Sequence, residues 1–259
     1  MAVAKPRLVA LIPARSGSKR VAHKNVRLLA GHPLIAYSIR SAIDSGIFDA
    51  VVCSTDDEAY ADVARYYGAE VPFLRPAQFA GEKSPDIEWV EDTLKRLSDT
   101  GRSFDAFSIL RPTSPFRHAG TLRRASQEFL AAHGVDSLRA VEKCRQHPGK
   151  MWVVRQGRML PLLPLAPEAQ PWHSSQYAAL PEVYVQNASL EIAWCSVVTQ
   201  GRTIAGSTIL PFFTDAVEGL DVNEEFDWWK AERLLASGEA TLPPVDRPCF
   251  PKLADTAKK

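Results

Sequence analysis

The 259-residue chain has no uninterrupted apolar run of about 18 residues, the length a helix needs to cross a bilayer, so no membrane span is expected. The apolar run nearest the N-terminus, Leu8 to Ala14, is short, contains Pro13 and ends at Arg15, which suits a strand rather than a signal peptide. Nothing else marks export, and the expected compartment is the cytoplasm. Cysteine is sparse: Cys53, Cys144, Cys195 and Cys249 are widely spaced, and no pair has a zinc or redox spacing. Charge of one sign is also lacking. A net charge of +1 argues against bulk electrostatic binding to nucleic acid or to a membrane surface. His32, His118, His133 and His173 show no metal-ligand spacing, and no Ser-His-Asp set stands out.

Hydrophobic residues make up 46% of the chain and charged residues 24%, enough to bury a sizeable globular core. The near-zero net charge hides an asymmetry. Residues 1–43 carry eight basic side chains and no acidic one, so +8 at one end faces −7 over the remainder. A cationic cluster beside a short apolar strand suggests a local anion site.

Short β-rich runs alternate with helical patterns through the first two-thirds, which predicts parallel strands joined by crossover helices. Leu8–Ile12, Ala50–Cys53, Val71–Leu74, Ala106–Leu110 and Ser137–Val141 are the strand candidates. A helix opened by Pro33 repeats Ile35, Ile39 and Ile43 and closes at Gly46. Further helices are expected over Glu58–Tyr67, Pro85–Leu97 and Leu122–Ala132. Six prolines between 148 and 181 make that segment a poor helix, read as loops and short hairpins: an arm toward another subunit, or an ordered surface insertion. Strands return at Val183–Ile192 and Thr208–Phe213, and a last helix at Glu224–Leu235. Trp228 and Trp229 on that helix are simplest as packing residues. The proline-rich stretch 243–259 is expected to be loosely held.

The strongest chemical signal is the run from Leu11 to Asn25, directly after the first strand. Its small residues, Ala14, Ser16 and Gly17, let backbone N–H groups approach phosphate oxygens. Arg15, Lys19 and Lys24 then supply charge to match a triphosphate. Neither the Walker spacing nor Gly-x-Gly-x-x-Gly is present. A solvated basic loop is the plainer alternative.

Residues 12–25 resemble the Ile-Pro-Ala-Arg-x-x-Ser-Lys-x-x-x-x-Lys-Asn loop of the acylneuraminate cytidylyltransferases, the CMP-sialic acid synthetase family. The likeness continues through Ser54-Thr55-Asp56, Leu74-Arg75-Pro76-Ala77, Arg111 to Arg117, His147-Pro148-x-Lys150 and Leu220-Asp221-Val222-Asn223, covering roughly residues 8–235. The resemblance implies a single Rossmann-like domain, a three-layer α/β/α stack on a mostly parallel sheet. It implies transfer of CMP from CTP to an acidic sugar, with Mg²⁺ or Mn²⁺, in a homodimer whose arm is 148–181. The CMP-Kdo synthetases look like cousins. A sugar nucleotidyltransferase of that kind and a non-catalytic nucleotide-binding homologue are the alternatives.

The roles implied for matching positions are specific. Lys24, Arg15 and Asp221 carry catalysis, with Lys24 stabilising charge on the α-phosphate. Nucleotide binding falls to Ala14, Arg15, Ser16, Gly17, Lys19, Lys24, Asn25, Arg75, Ser84 and Asp86. Asp86 would accept from the cytosine amine, or is simply a helix-start residue. The sugar falls to Arg111, Thr113, Lys150, Tyr184, Gln186 and Asn187. Lys150 would meet the sugar carboxylate, or is a surface lysine; Tyr184 lines the pocket, or is core. If the stretch is extended, Asp221 and Asn223 point the same way and address one metal ion. Asn223 departs from a second family aspartate and also stands where a helix N-cap belongs, so ligand and cap both remain open. Arg111 stands where the family usually has Gln, and Gln186 where many members have Arg. That exchange points to a relative of sialic acid, such as legionaminic or pseudaminic acid, as acceptor.

Overall fold

The computed structural model describes residues 5–18, 20–163 and 170–254. The chain runs through β1 (Leu8–Pro13), β2 (Leu28–Leu29), β3 (His32–Pro33), α1 (Leu34–Ser45), β4 (Ala50–Ser54), α2 (Glu58–Tyr67), α3 (Asp86–Asp99), β5 (Ala106–Ile109) and α4 (Ala119–Ala131). It continues through β6 (Ser137–Lys143), β7 (Trp152–Arg155), β8 (Arg158–Pro161), β9 (Tyr184–Trp194), α5 (Cys195–Gly201), β10 (Ile209–Phe213), α6 (Glu225–Ala236) and α7 (Pro251–Ala254). Two compact units result: Met1–Ala140 with Asn187–Lys259, and Val141–Gln186.

Burial on both faces makes β1 the axis of the larger unit. Leu8, Ala10 and Ile12 pack with Ile35 and Ile39 of α1, Ala64 of α2 and Phe129 of α4. Val9 and Leu11 point the other way, onto Trp89, Val90 and Leu97 of α3 and Val198 of α5. The period-two alternation of one apolar strand thus feeds two cores, with helices on both sides of the sheet. Six strands lie in the order β10-β6-β9-β5-β1-β4. Leu11 sits opposite Val52 and Ile109, with β4 and β5 both parallel to β1. β9 runs antiparallel to β5 and sets Glu191 opposite Ile109. The sheet is therefore mixed and mostly parallel, in a Rossmann-like α/β arrangement. Among the described residues no helix is long and apolar enough to cross a membrane.

Local chemistry explains the helix limits. Asp57 caps α2 by accepting from the Tyr60 N–H, and Gly68 ends it with φ of 104°, a left-handed conformation that glycine adopts without strain. The strand expected at 71–74 is absent: only an isolated bridge joins Val52 to Glu70. Pro72 has no N–H for a ladder, and the chain turns so that Arg75 reaches back to Ser54. Helix α5 has no counterpart in the sequence reading, because Val197, Val198 and Thr199 mimic a strand.

The stretch from 243, expected to be loosely held, is tied down as far as Ala254. Phe250 N–H donates to the Tyr67 hydroxyl, Tyr66 Oη donates to the Pro248 carbonyl, and Val245, Phe250 and Leu253 pack on the first core. Residues 255–259 lie outside the described residues. In the smaller unit β7 and β8 form an antiparallel hairpin turned by Gln156 and Gly157, both with positive φ. Pro164 and Pro167 of the proline-rich segment lie outside the described residues.

Candidate active site

The loop after β1 meets the loops after β4 and β5 around a cleft of about 390 Å³. This is the carboxyl end of the parallel strands, where α/β sheets bind ligands. Arg15, Ser18, Arg20, Lys24 and Asn25 line it from the first loop, Arg75, Ser84 and Asp86 from the second segment, and Arg111 and Thr113 from the third. Asp221 and Asn223 complete the wall.

Two side chains hold the first loop. Asp56 accepts from the Ser16 N–H at 2.8 Å and from its hydroxyl at 3.0 Å. The buried Asn25 donates from Nδ2 to the Arg15 carbonyl at 3.1 Å. Ala14, Ser16 and Gly17 do not line the cleft, and the Ala14 and Ser16 amides are already spent on Ser54 and Asp56. Those two amides hold the loop in shape. Lys19 lies outside the described residues.

Lys24 bridges to the opposite wall. Its Nζ donates to the Val222 carbonyl at 2.8 Å and to Asn223 Oδ1 at 3.4 Å. Burial holds the Lys24 ammonium below the ordinary lysine value, against the pull of Asp221. Arg15 donates to the Gly81 carbonyl at 2.6 Å. Neither cation forms an ion pair with a carboxylate among the described residues.

Asp221 uses one oxygen to accept from Asn223 Nδ2, while Oδ1 is buried without a hydrogen-bond partner. An orphaned carboxylate oxygen on a cleft wall is a costly feature unless a ligand meets it. It is one carboxylate only: among the described residues no group of three His, Cys, Asp or Glu could hold a metal ion. Asn223 is not the helix cap. Glu224 caps α6 in a reciprocal box with Asp227, and Asn223 instead links Lys24 to Asp221. The Val222 N–H donates to the Thr113 carbonyl at 2.8 Å, which ties the Asp221 loop to the segment after β5.

Arg75 and Arg111 are both held in place. Arg75 is buried, donates to Ser54 and stacks 4.6 Å from the Trp89 ring centroid; burial lowers its pKa to about 10. Asp86 opens α3 and accepts from Trp89 Nε1 at 2.8 Å and from Arg111 at 2.6 Å. Burial disfavours its ionisation, but the Arg111 guanidinium outweighs that and holds the carboxyl below its usual value. Arg111 also donates to Glu191 at 3.1 Å. Ser84 donates to the Gln78 carbonyl at 3.0 Å.

Of the expected sugar residues, Arg111 and Thr113 line the cleft. Asn187 belongs to the larger unit but donates to Thr214 at 2.9 Å, away from the cleft lining. Lys150, Tyr184 and Gln186 belong to the smaller unit. There Lys150 Nζ donates to the His173 and Ser175 carbonyls and sits 5.3 Å from the Tyr177 ring centroid. Tyr184 is exposed and donates to Glu182 at 2.8 Å, so it is not core.

Three residues escaped the sequence reading of the site. Asp56 latches the first loop. Arg117 is fully buried, donates to the Ser189 carbonyl and to Ser38 Oγ at 2.7 Å, and is pushed down to about 9 by burial alone. Glu191 is the third. Asp56 and Arg117 stood inside recognised motifs without a role, whereas Glu191 was masked by the apolar strand around it.

A family model described as cytidylyltransferase matches residues 9–131. The CMP-N,N'-diacetyllegionaminic acid synthase of Legionella pneumophila is 33% identical over 240 residues, covering 91% of this chain and 99% of that protein. The chain belongs to the CMP-sialic acid synthetase-like cytidylyltransferases. An N-acylneuraminate cytidylyltransferase from Escherichia coli is 40% identical to this cytidylyltransferase over 113 residues, 44% of the chain and 26% of that longer protein. In fold the cytidylyltransferase is similar to a CMP:2-keto-3-deoxy-manno-octonic acid synthetase complexed with CTP, at TM-score 0.66 and 16% identity over 90% of this chain and 99% of that one. A Leptospira borgpetersenii cytidylyltransferase gives TM-score 0.60 at 15% identity over 98% and 94%. The activity is nucleotidyl transfer.

Proposed function

We propose that this cytidylyltransferase joins CMP from CTP to the anomeric hydroxyl of a sialic-acid-like nonulosonic acid and releases pyrophosphate. The observation that carries this reading is the pairing, across one cleft, of cations without carboxylate partners, Lys24 and Arg15 foremost, with one carboxylate oxygen without a donor. A triphosphate would satisfy the first, and a divalent cation held by Asp221 would satisfy the second. The acceptor class is taken from the legionaminic acid synthase, which the chain matches along almost its whole length.

In the reaction the anomeric oxygen bonds to the α-phosphorus, the bond from that phosphorus to the bridging oxygen of pyrophosphate breaks, and the hydroxyl proton is released. Such transfer needs positioning and charge stabilisation more than covalent help. Lys24, anchored on the Val222 carbonyl, is placed to stabilise charge on the α-phosphate, and Arg15 to hold the outer phosphates. Asn25 and Asp56 keep the loop in the shape that presents them. Asp221 Oδ1 would hold a divalent cation, Mg²⁺ or Mn²⁺. When bound, such an ion neutralises phosphate charge and helps the hydroxyl ionise. Asn223 serves here as the link between Lys24 and Asp221 rather than as a second strong ligand.

Two further elements belong to this reading. The smaller unit exposes Val154, Met159 and Leu160 on its β7–β8 hairpin, an apolar surface suited to a second copy in a homodimer. Light scattering at monomer mass would overturn that element. Cys53, Cys144, Cys195 and Cys249 are free thiols, which supports a reducing, cytoplasmic compartment.

The test of the reaction is pyrophosphate release from CTP and Mg²⁺ with a panel of eight- and nine-carbon ulosonic acids. Release with a nine-carbon acid, and none without an acceptor, is the expected result. Turnover confined to an eight-carbon acid, or to no acid at all, overturns the proposed acceptor.

A further inference from the structure

Arg111 stands in the cleft with its charge already matched. Its Nη2 donates to Asp86 Oδ2 at 2.6 Å and to Glu191 Oε1 at 3.1 Å. Both contacts use one nitrogen, which leaves the donors on Nη1 and Nε for a ligand. Glu191 is only 4% exposed. It is also within 2.5 Å of Arg139 Nη1, an ion pair by distance whose geometry leaves Glu191 Oε2 without a hydrogen bond. The register explains how it gets there: Glu191 faces Ile109 across β9 and β5, two positions before Arg111, and Arg139 comes from the neighbouring β6.

A carboxylate in the middle of a sheet is an expensive choice. Burying it costs more than a well-packed apolar side chain would, and its ion pairs offset that cost only in part. Two carboxylates and two guanidiniums also leave this cluster neutral, so Arg111 adds little net positive potential to the cleft. An arginine held in this way is suited to an uncharged oxygen rather than to a free carboxylate.

We infer that Glu191 is a positioning residue: with Asp86 it fixes Arg111 against the cleft as a neutralised hydrogen-bond donor for an uncharged oxygen of the acceptor, a hydroxyl or an amide carbonyl. The inference rests on the nonulosonic acid reading above. It makes Arg111 and Glu191 a single specificity device, with Glu191 acting only through Arg111.

The experiment is steady-state pyrophosphate release, with CTP and acceptor varied separately, for Glu191→Gln, Arg111→Gln and the double variant. Glu191→Gln keeps the side-chain size and removes the charge. Its kcat/KM for the acceptor falls roughly ten- to hundredfold, the scale of one lost charged hydrogen bond, while KM for CTP holds. In the Arg111→Gln background the same change has no further effect. Should Glu191→Gln fold poorly, Glu191→Met with Arg139→Met removes the buried pair together and gives the same loss of acceptor efficiency. Wild-type acceptor kinetics in Glu191→Gln overturn the inference, as do losses that add in the Arg111→Gln background or that shift both KM values alike. If the wild-type enzyme uses no nonulosonic acid, the functional reading falls and this inference falls with it. An active wild type with an indifferent Glu191→Gln overturns this inference alone.

Discussion

The two charge clusters that line the cleft treat charge in opposite ways. Around Lys24 and Arg15 the cations bind carbonyl oxygens, and Asp221 keeps one buried oxygen without a donor. Around Arg111 every charge has an opposite within ion-pair distance, in a run from Asp86 through Arg111 and Glu191 to Arg139. The first arrangement leaves charge unmatched. The second is complete beforehand and can only offer direction. On the proposed reading, the first would anchor a triphosphate and the second would discriminate among sugars that carry similar charge.

Four changes sharpen or break this contrast. The largest effect is expected for Lys24→Ala, where kcat for pyrophosphate release should fall roughly 10²–10³-fold, the usual loss for one preorganised charge stabiliser. Near-normal turnover would remove Lys24 from its role. Next comes Arg117→Met, beside the Arg111 backbone, which should cost about 2–3 kcal/mol in denaturant unfolding because the Ser189 and Arg111 carbonyls lose a charged donor. A change within error would show that these contacts contribute nothing net. Asp221→Asn should lower apparent Mg²⁺ affinity at least roughly tenfold, as loss of a metal-site contact does, and leave the melting temperature unmoved or raised. An unchanged Mg²⁺ titration would place the ion elsewhere.

The smallest effect is a pH dependence. The Asp86 carboxyl is held below its unfolded value, so the stability it contributes is present above the usual aspartate range and is lost as pH falls through its lowered value. In Arg111→Gln burial acts without that guanidinium, and ionised Asp86 becomes a cost at neutral pH. The melting-temperature gap between wild type and Arg111→Gln should therefore narrow on acidification toward pH 4. A gap constant with pH would mean that Asp86 and Arg111 are not energetically coupled.

Much of the fold was legible because local and global signals agree. Leu8–Ile12 reads as a strand buried on both faces and is one; the helix over Glu58–Tyr67 ends at Gly68 as the residue types require. Val71–Leu74 misled because its apolar residues resemble a strand, yet Pro72 cannot join a ladder and the segment instead delivers Arg75. In the site, Lys24, Arg15 and Asp221 stood out through motif and charge. The Arg111 cluster did not, because Glu191 meets Arg111 only through the antiparallel register of β9 on β5, a contact across 80 positions. Asn223 was ambiguous for a related reason: whether it caps a helix depends on Glu224 and Asp227 forming their own box.

The most direct test is a crystal structure with CTP bound. The account predicts the triphosphate along the loop between β1 and Lys24, with the α-phosphate beside Lys24 Nζ and on the side of Asp221 Oδ1. A nucleotide bound elsewhere, with that loop bare, would contradict it.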